Sequence, residues 1–184
     1  MRREAILKST SVCVGILSDT HGYIHPGVLE QVNQCDAIVH AGDICGSHVL
    51  EQLKPLSGIV IAVRGNNDVR ETWQEVGKYR LAELQEENHL DLPGGRLSVI
   101  HGHQYWGRDD PQAGILSHFP NSRAVVYGHS HFIQHDRING RWLLNPGAAG
   151  KRLNRGAASC LILKTSRNDW HVKLHRFEDT ERRR

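Results

Sequence analysis

Five short apolar runs constrain this chain more than any other feature: Val12 to Leu17, Ala37 to His40, Ile59 to Val63, Leu97 to Ile100 and Ala124 to Tyr127. Each is rich in aliphatic residues, too short for a helix and apolar almost throughout, which is how strands buried on both faces read. Between them, Gly27 to Cys35 and Ser47 to Leu53 carry apolar residues at helical spacing, and Asp110 to Phe119 opens on Asp then Pro, a helix-starting pair. The later chain changes character. Phe132 to Ile138 and Trp142 to Leu144 flank Asn139-Gly140, a two-residue hairpin signal, and Ala157 to Leu163 and Trp170 to Leu174 read as further antiparallel strands. Pro93-Gly94-Gly95 marks another turn, between His89 to Leu92 and Arg96 to Ile100. These patterns predict one α/β domain whose sheets mix parallel and antiparallel strands.

A length of 184 residues fits a single domain over the whole chain, with residues 1–10 and 180–184 expected to be flexible. No apolar run approaches the roughly 20 residues of a membrane helix. The opening MRREAILKST lacks the apolar stretch and small-residue cleavage site of an export signal. Cys13, Cys35, Cys45 and Cys160 show no CxxC pair and no framework spacing, which fits a reducing cytoplasm and thiols that pack as small hydrophobes. The formal charge of +3 is slight, and basic residues are dispersed except in the tail Glu181 to Arg184 and around Lys151, Arg152 and Arg155, so a nucleic-acid stripe is not expected. The unusual count is 13 histidines. Histidine is the commonest metal ligand and titrates near neutral pH, so their placement matters.

The informative residues stand just beyond each strand. The first run ends in Ser18-Asp19-Thr20-His21-Gly22, the second in His40-Ala41-Gly42-Asp43 and the third in Arg64-Gly65-Asn66-Asn67-Asp68. The fourth ends in His101-Gly102-His103 and the fifth in Gly128-His129-Ser130-His131. In open α/β sheets, ligands bind at the carboxyl ends of strands. Taken singly, Asp19 and Asp43 read equally well as helix N-caps, the histidines as ordinary loop residues, and Asn66 with Asp68 as a plain turn. Five independent turns with the same chemistry point instead to one convergent site.

At these residues the sequence resembles the calcineurin-like metallophosphoesterases, whose signature is DxH, then GD, then GN with a following acid, then a lone His, then GHxH. Here the blocks are Asp19-Thr20-His21, Gly42-Asp43, Gly65-Asn66-Asn67-Asp68, His101 and Gly128-His129-Ser130-His131, in that order. Asn145-Pro146-Gly147 continues the likeness to the compact bacterial and archaeal phosphodiesterase branch. The resemblance implies a four-layer α-β-β-α sandwich with two mixed β-sheets, and two divalent metal ions. Asp19, His21 and His131 would bind one ion, Asn66, His101 and His129 the other, and Asp43 would bridge them together with a water or hydroxide that attacks phosphorus in line. Oxygen and imidazole donors without thiolate suit Mn, Fe, Zn, Ni or Co. Mn is the ion expected first, with Ni, Zn, Fe, Co or Mg as alternatives.

The phosphatase form of the signature has a proton-donating histidine where this chain has Asn67, so the expected activity shifts toward phosphodiester hydrolysis. His103 is the first choice for a replacement proton donor, beside a plain solvent histidine, and His25 and His40 are weaker choices. Asn66, His101, Asn145 and Gly147 are candidate substrate contacts, the last two through a backbone nest that is also readable as a simple turn. Arg64, Arg152 and Arg155 read as phosphate clamps or as surface charge. The expected partner is a small phosphodiester or nucleotide-type molecule, with no membrane association, and a homo-oligomer is left open. The alternatives are a noncatalytic interaction scaffold, like the small retromer subunit of the same fold, and a monoesterase or nuclease of the same superfamily.

Overall fold

In the computed structural model, which describes residues 4–6, 9–151 and 157–178, eleven strands and four α-helices succeed one another. They are β1 (Glu4–Ile6), β2 (Ser11–Leu17), α1 (Pro26–Asn33), β3 (Ala37–His40), α2 (Ser47–Gln52), β4 (Ile59–Ala62), α3 (Lys78–Glu83), β5 (Glu87–Leu92) and β6 (Gly95–Ile100). After these come α4 (Pro111–His118), β7 (Ala124–Val126), β8 (Ile133–Ile138), β9 (Arg141–Pro146), β10 (Ala158–Ser166) and β11 (Trp170–Phe177). One sheet has the order β11-β10-β2-β3-β4 and the other β1-β5-β6-β7-β9-β8. Both are mixed: β2, β3 and β4 run parallel, as do β6, β7 and β9, while β10, β11, β5 and β8 are joined by antiparallel pairings.

The period of two along each strand sorts side chains between layers. Val14, Ile16, Val39, Leu161 and Leu163 of the first sheet meet Leu97, Val99, Val126 and Leu144 of the second in a shared core. The alternate residues Ile38, Cys160 and Ile162 face outward, under Val28 and Val32 of α1, Val49 of α2 and Leu81 of α3. On the other side, Val125 and Leu143 pack under Ile115 and Leu116 of α4. The result is a four-layer sandwich, helices outside two face-to-face sheets, as expected.

Local signals explain the punctuation. Asn139 and Gly140 both take left-handed backbone, with φ of 51° and 79°, the geometry that joins β8 to β9 with the correct twist. Pro26 and Pro111 occupy first-turn positions of α1 and α4, capped by the His25 and Asp110 side chains. β8 is an exposed edge strand whose His135, Asp136 and Arg137 face water, a pattern that discourages edge pairing. Two elements carry no apolar signature. In α3 only Leu81 is buried, and β1, in the stretch expected to be flexible, gains its structure from parallel pairing with β5. Arg152, Arg155 and the tail Glu181 to Arg184 lie outside the described residues.

Candidate metal centre

The parallel strands end at the site. Loops leaving β2, β3, β4, β6 and β7 are stitched together by backbone hydrogen bonds, Asp19 N–H to the Gly42 carbonyl (3.0 Å), His21 N–H to the Asp43 carbonyl (3.0 Å) and Gly128 N–H to the His101 carbonyl (3.1 Å). Seven non-glycine residues among those described have positive φ, and five of them are Asp19, His21, Asp43, His129 and His131. Asp and His tolerate this region better than most side chains, yet each residue so held costs on the order of 1 kcal/mol. Such strain is typical of positions that the surrounding structure must aim. Gly65 shows how close the loops approach: a Cβ there would lie 2.2 Å from Asp43 Oδ1.

The side chains gather as two donor clusters with a carboxylate between them. In the first, His131 Nε2 lies 3.2 Å from Asp19 Oδ1 and 3.5 Å from His21 Nε2. In the second, Asn66 Oδ1 lies 3.1 Å from His101 Nε2 and 3.0 Å from His129 Nδ1. Asp43 Oδ2 stands 3.5 Å from His101 Nε2 and 3.8 Å from His21 Nε2. Asp19, His21 and His131, and again Asp19, Asp43 and His101, have the spacing of groups that could hold a metal ion.

Three features test whether such ions fit. Asp19 is fully buried, and neither carboxylate oxygen accepts a hydrogen bond among the described residues, an unfavourable state for a charge unless a cation compensates it. His101 Nδ1 lies 2.7 Å from the Ala41 carbonyl, so Nδ1 carries the proton and Nε2 is the nitrogen aimed at the cluster, the arrangement usual for a ligating histidine. Third, the donors are oxygen and imidazole nitrogen, the set expected for Mn, Zn, Fe, Co or Ni. The residues present fit the group that the sequence implies.

Without a cation, the charges lean on one another. Burial opposes ionisation of Asp43, but His101 and the two Asn67 donors outweigh it and hold the carboxyl below its ordinary range. Burial also opposes a charged His101, but the Asp43 and Asp19 carboxylates carry it up to about 9. His129 is pushed down by burial and by neighbouring His101.

The other predicted site residues separate into those at the centre and those behind it. Asn67 is at the centre, its backbone N–H donating to Asp43 Oδ1 (2.8 Å) and its amide to Oδ2 (2.7 Å). The His103 ring stands 5.6 Å from that of His101 and 6.2 Å from that of His129, and its Nδ1 is buried without a hydrogen-bond partner among the described residues. Asn145 is fully buried, its amide donating to the Gly128 carbonyl (2.8 Å) and Ser130 Oγ (3.1 Å) while its oxygen accepts from Gly147 N–H (2.9 Å). Both Asn145 and the Gly147 amide are thus engaged inside the chain, supporting the histidine loop from below. Arg64 donates to the Asp68 carbonyl. His25 caps α1, and His40 is fully buried, held near 3 by burial and bonded to Thr20 Oγ1, which leaves neither free to carry protons to the centre.

Two contributors had no assigned role in the sequence. Asp68 accepts from the backbone N–H groups of Ile44, Cys45 and Gly65 and from Trp73 Nε1, all between 2.8 and 3.2 Å. It ties the Asp43 loop to the Asn66 loop. Trp106 sets its ring 5.3 Å from that of His129, in an exposed segment without a periodic signal.

A family model described as the calcineurin-like phosphoesterase superfamily domain matches residues 12–168. A probable metallophosphoesterase of Methanocaldococcus jannaschii is 28% identical over 144 residues, 75% of this chain and 68% of the relative. A phosphodiesterase of the same archaeon is 25% identical over 168 residues, 85% of this chain and 95% of the relative. Among solved structures, Vacuolar Protein Sorting 29 of Cryptosporidium parvum has a TM-score of 0.71 at 17% identity, over 93% of this chain and 100% of its own, a likeness of fold. The span matched by the family model contains every strand end and donor described above, and this chain belongs to the calcineurin-like phosphoesterase superfamily.

Proposed function

We propose that this chain is a phosphodiesterase that works with two divalent cations, one held by Asp19, His21 and His131, the other by Asn66, His101 and His129, with Asp43 shared. The observation that carries this reading is the buried carboxylate of Asp19, which accepts no hydrogen bond among the described residues and faces His131 Nε2 at 3.2 Å, beside a second cluster of the same donor chemistry. When bound, such ions supply Lewis acidity and a nucleophilic water at neutral pH. The protein's own part is positioning. The left-handed backbone at five donor positions aims them, Asn145 fixes the loop that carries His129 and His131, and Asp68 fixes the loop that carries Asp43.

Asn67 lacks an acidic proton, which favours diesters whose leaving group needs little protonation. His103 is the group proposed to protonate poorer leaving groups, since its ring stands beside those of His101 and His129. A cavity of about 450 Å³ opens beside His131, lined by Phe132, Ser159 and Arg176, and offers room for the organic part of a substrate. A larger cavity of about 600 Å³ between α2, β4 and α3 is lined by none of the donors described above and plays no part in this reading. The relative named a phosphodiesterase supports the reaction class. Mn is the ion proposed first, and Zn, Fe, Co and Ni suit the same donors. Among the described residues no helix is long and apolar enough to cross a membrane, which fits a small soluble substrate.

The likeness to Vacuolar Protein Sorting 29 is one of fold alone and does not favour the scaffold reading, and the donor set that an enzyme needs is present in this chain. Assays of a generic diester and a generic monoester with Mn, Ni, Zn and Mg test the proposal: faster diester turnover supports it, monoester preference would replace it with a phosphatase, and no turnover with either would return the scaffold.

A further inference from the structure

On the opposite side of β2 from the shared core, two thiols meet. Cys13 near the start of β2 and Cys35 just beyond α1 place their sulfurs 3.3 Å apart, although 22 residues separate them in sequence. The backbone holds them there: Cys13 N–H donates to Asp36 Oδ2 (2.7 Å), and Asp36 N–H donates to the Cys13 carbonyl (2.9 Å). Both sulfurs are free thiols, and both residues line a cavity of about 490 Å³ on the molecular surface. The cavity wall is basic. Lys164 of β10 lies directly across from Cys13 in the antiparallel register and His171 of β11 lies across from Lys164, so the three form one row, joined by Lys173 and His175.

We infer that Cys13 and Cys35 are a reactive dithiol that anionic small-molecule disulfides, of the glutathione disulfide type, oxidise to an intramolecular disulfide. Bringing the sulfurs from 3.3 Å to a bond of about 2.05 Å needs movement of little more than 1 Å, within reach of side-chain rotation. The two sulfurs are not equivalent. Cys13 is part exposed, and its thiol drops to about 7 because Cys35 hydrogen-bonds to it, with burial and Asp36 opposing and Lys164 assisting. Cys35 is buried and is raised by the same contact, so it keeps its proton. Cys13 therefore attacks first. Its thiolate sulfur bonds one sulfur of the small disulfide, the sulfur–sulfur bond breaks, and one small thiolate departs and takes a proton from solvent. Cys35 then loses its proton to solvent and attacks the Cys13 sulfur of the mixed disulfide, releasing the second small thiol. Two protein thiols are oxidised and one small disulfide is reduced to two thiols.

The closed ring would join residues 13 and 35 across the segment that carries Asp19 and His21, yet the inference rests on the fold and the thiols alone, independent of any phosphoesterase activity. Treating the whole protein with glutathione disulfide, blocking remaining thiols with an alkylating agent and cutting before aspartates tests it. Cleavage before Asp19, Asp36 and Asp43 leaves Cys13, Cys35 and Cys45 on separate peptides. The expected result is a Cys13 peptide linked to a Cys35 peptide in monomeric protein, with Cys160 alkylated only on denaturation. In Cys35→Ser the same treatment should leave one glutathione on Cys13, and in Cys13→Ser it should leave Cys35 unmodified. Linkage through Cys45 or between chains, or Cys13 and Cys35 both remaining free under conditions that modify Cys45, would overturn the inference, as would a glutathione adduct on Cys35 in Cys13→Ser.

Discussion

Asn67 holds both oxygens of Asp43, its backbone N–H on Oδ1 and its side-chain amide on Oδ2. The backbone bond survives any substitution other than proline, whereas the amide occupies the oxygen that points toward both donor clusters. If cations take the lone pairs of Oδ2, the amide must let go and is free to reach a bound phosphate. Asn67→Ala is therefore expected to leave metal affinity unchanged or slightly tighter, while diester kcat/KM falls about tenfold, a loss of roughly 1.4 kcal/mol in transition-state stabilisation. Calorimetric metal titration and steady-state kinetics check this, and a tenfold weaker metal affinity would show instead that the amide holds Asp43 in place for the ion.

Asp68 should matter more for stability than for chemistry. Asp68→Ala leaves three backbone donors and the Trp73 indole without their acceptor, in a loop where Asp68 itself is fully buried. Unsatisfied buried donors cost about 1–3 kcal/mol each, so a loss of about 3 kcal/mol or more in urea unfolding is expected. A loss below about 1 kcal/mol would mean that water replaces the carboxylate at little cost.

The metal-free protein should show opposed pH effects from two histidines. His101, ordinarily at 6.5, is raised to about 9 by Asp43 and Asp19 against the effect of burial, so its stabilising contribution is complete below 6.5 and is lost as pH rises through 9. His40, lowered to about 3 by burial, contributes stability that is complete above 6.5 and is lost as pH falls toward 3. Thermal unfolding of metal-free protein across this range should show stability declining on both sides of pH 6.5 from these groups. Metal addition should abolish the alkaline decline, because His101 Nε2 must shed its proton to bind. An alkaline decline unchanged by metal would remove His101 from the ligand set.

His103→Ala is expected to slow hydrolysis of diesters with poor leaving groups by about 100-fold, in the range of general acid catalysis, and to change good leaving groups little. Equal loss across a leaving-group series would assign His103 a packing role beside His101.

The strand ends were legible because each combines an apolar run, a glycine and a metal-type donor, and every such block from Asp19 to His131 arrives at one place. The hairpin at Asn139-Gly140 was legible because its left-handed turn has a local chemical signature. The short helix Lys78–Glu83 was not, since a single buried residue, Leu81, leaves no stripe to read. The roles of Asp68 and Asn145 were hidden for a different reason: their partners are backbone groups of distant loops, which no side-chain pattern records. The Cys13–Cys35 contact was hidden in the same way, since it depends on how α1 returns the chain to the side of β2.

The most direct test of the two-cation site is to titrate metal-free protein with Mn while tracking hydrolysis of a generic phosphodiester. Activity should stay low through the first equivalent and rise to its plateau at the second, with Asp19→Ala losing the plateau. A plateau at one equivalent, or no hydrolysis at full occupancy, would contradict the account.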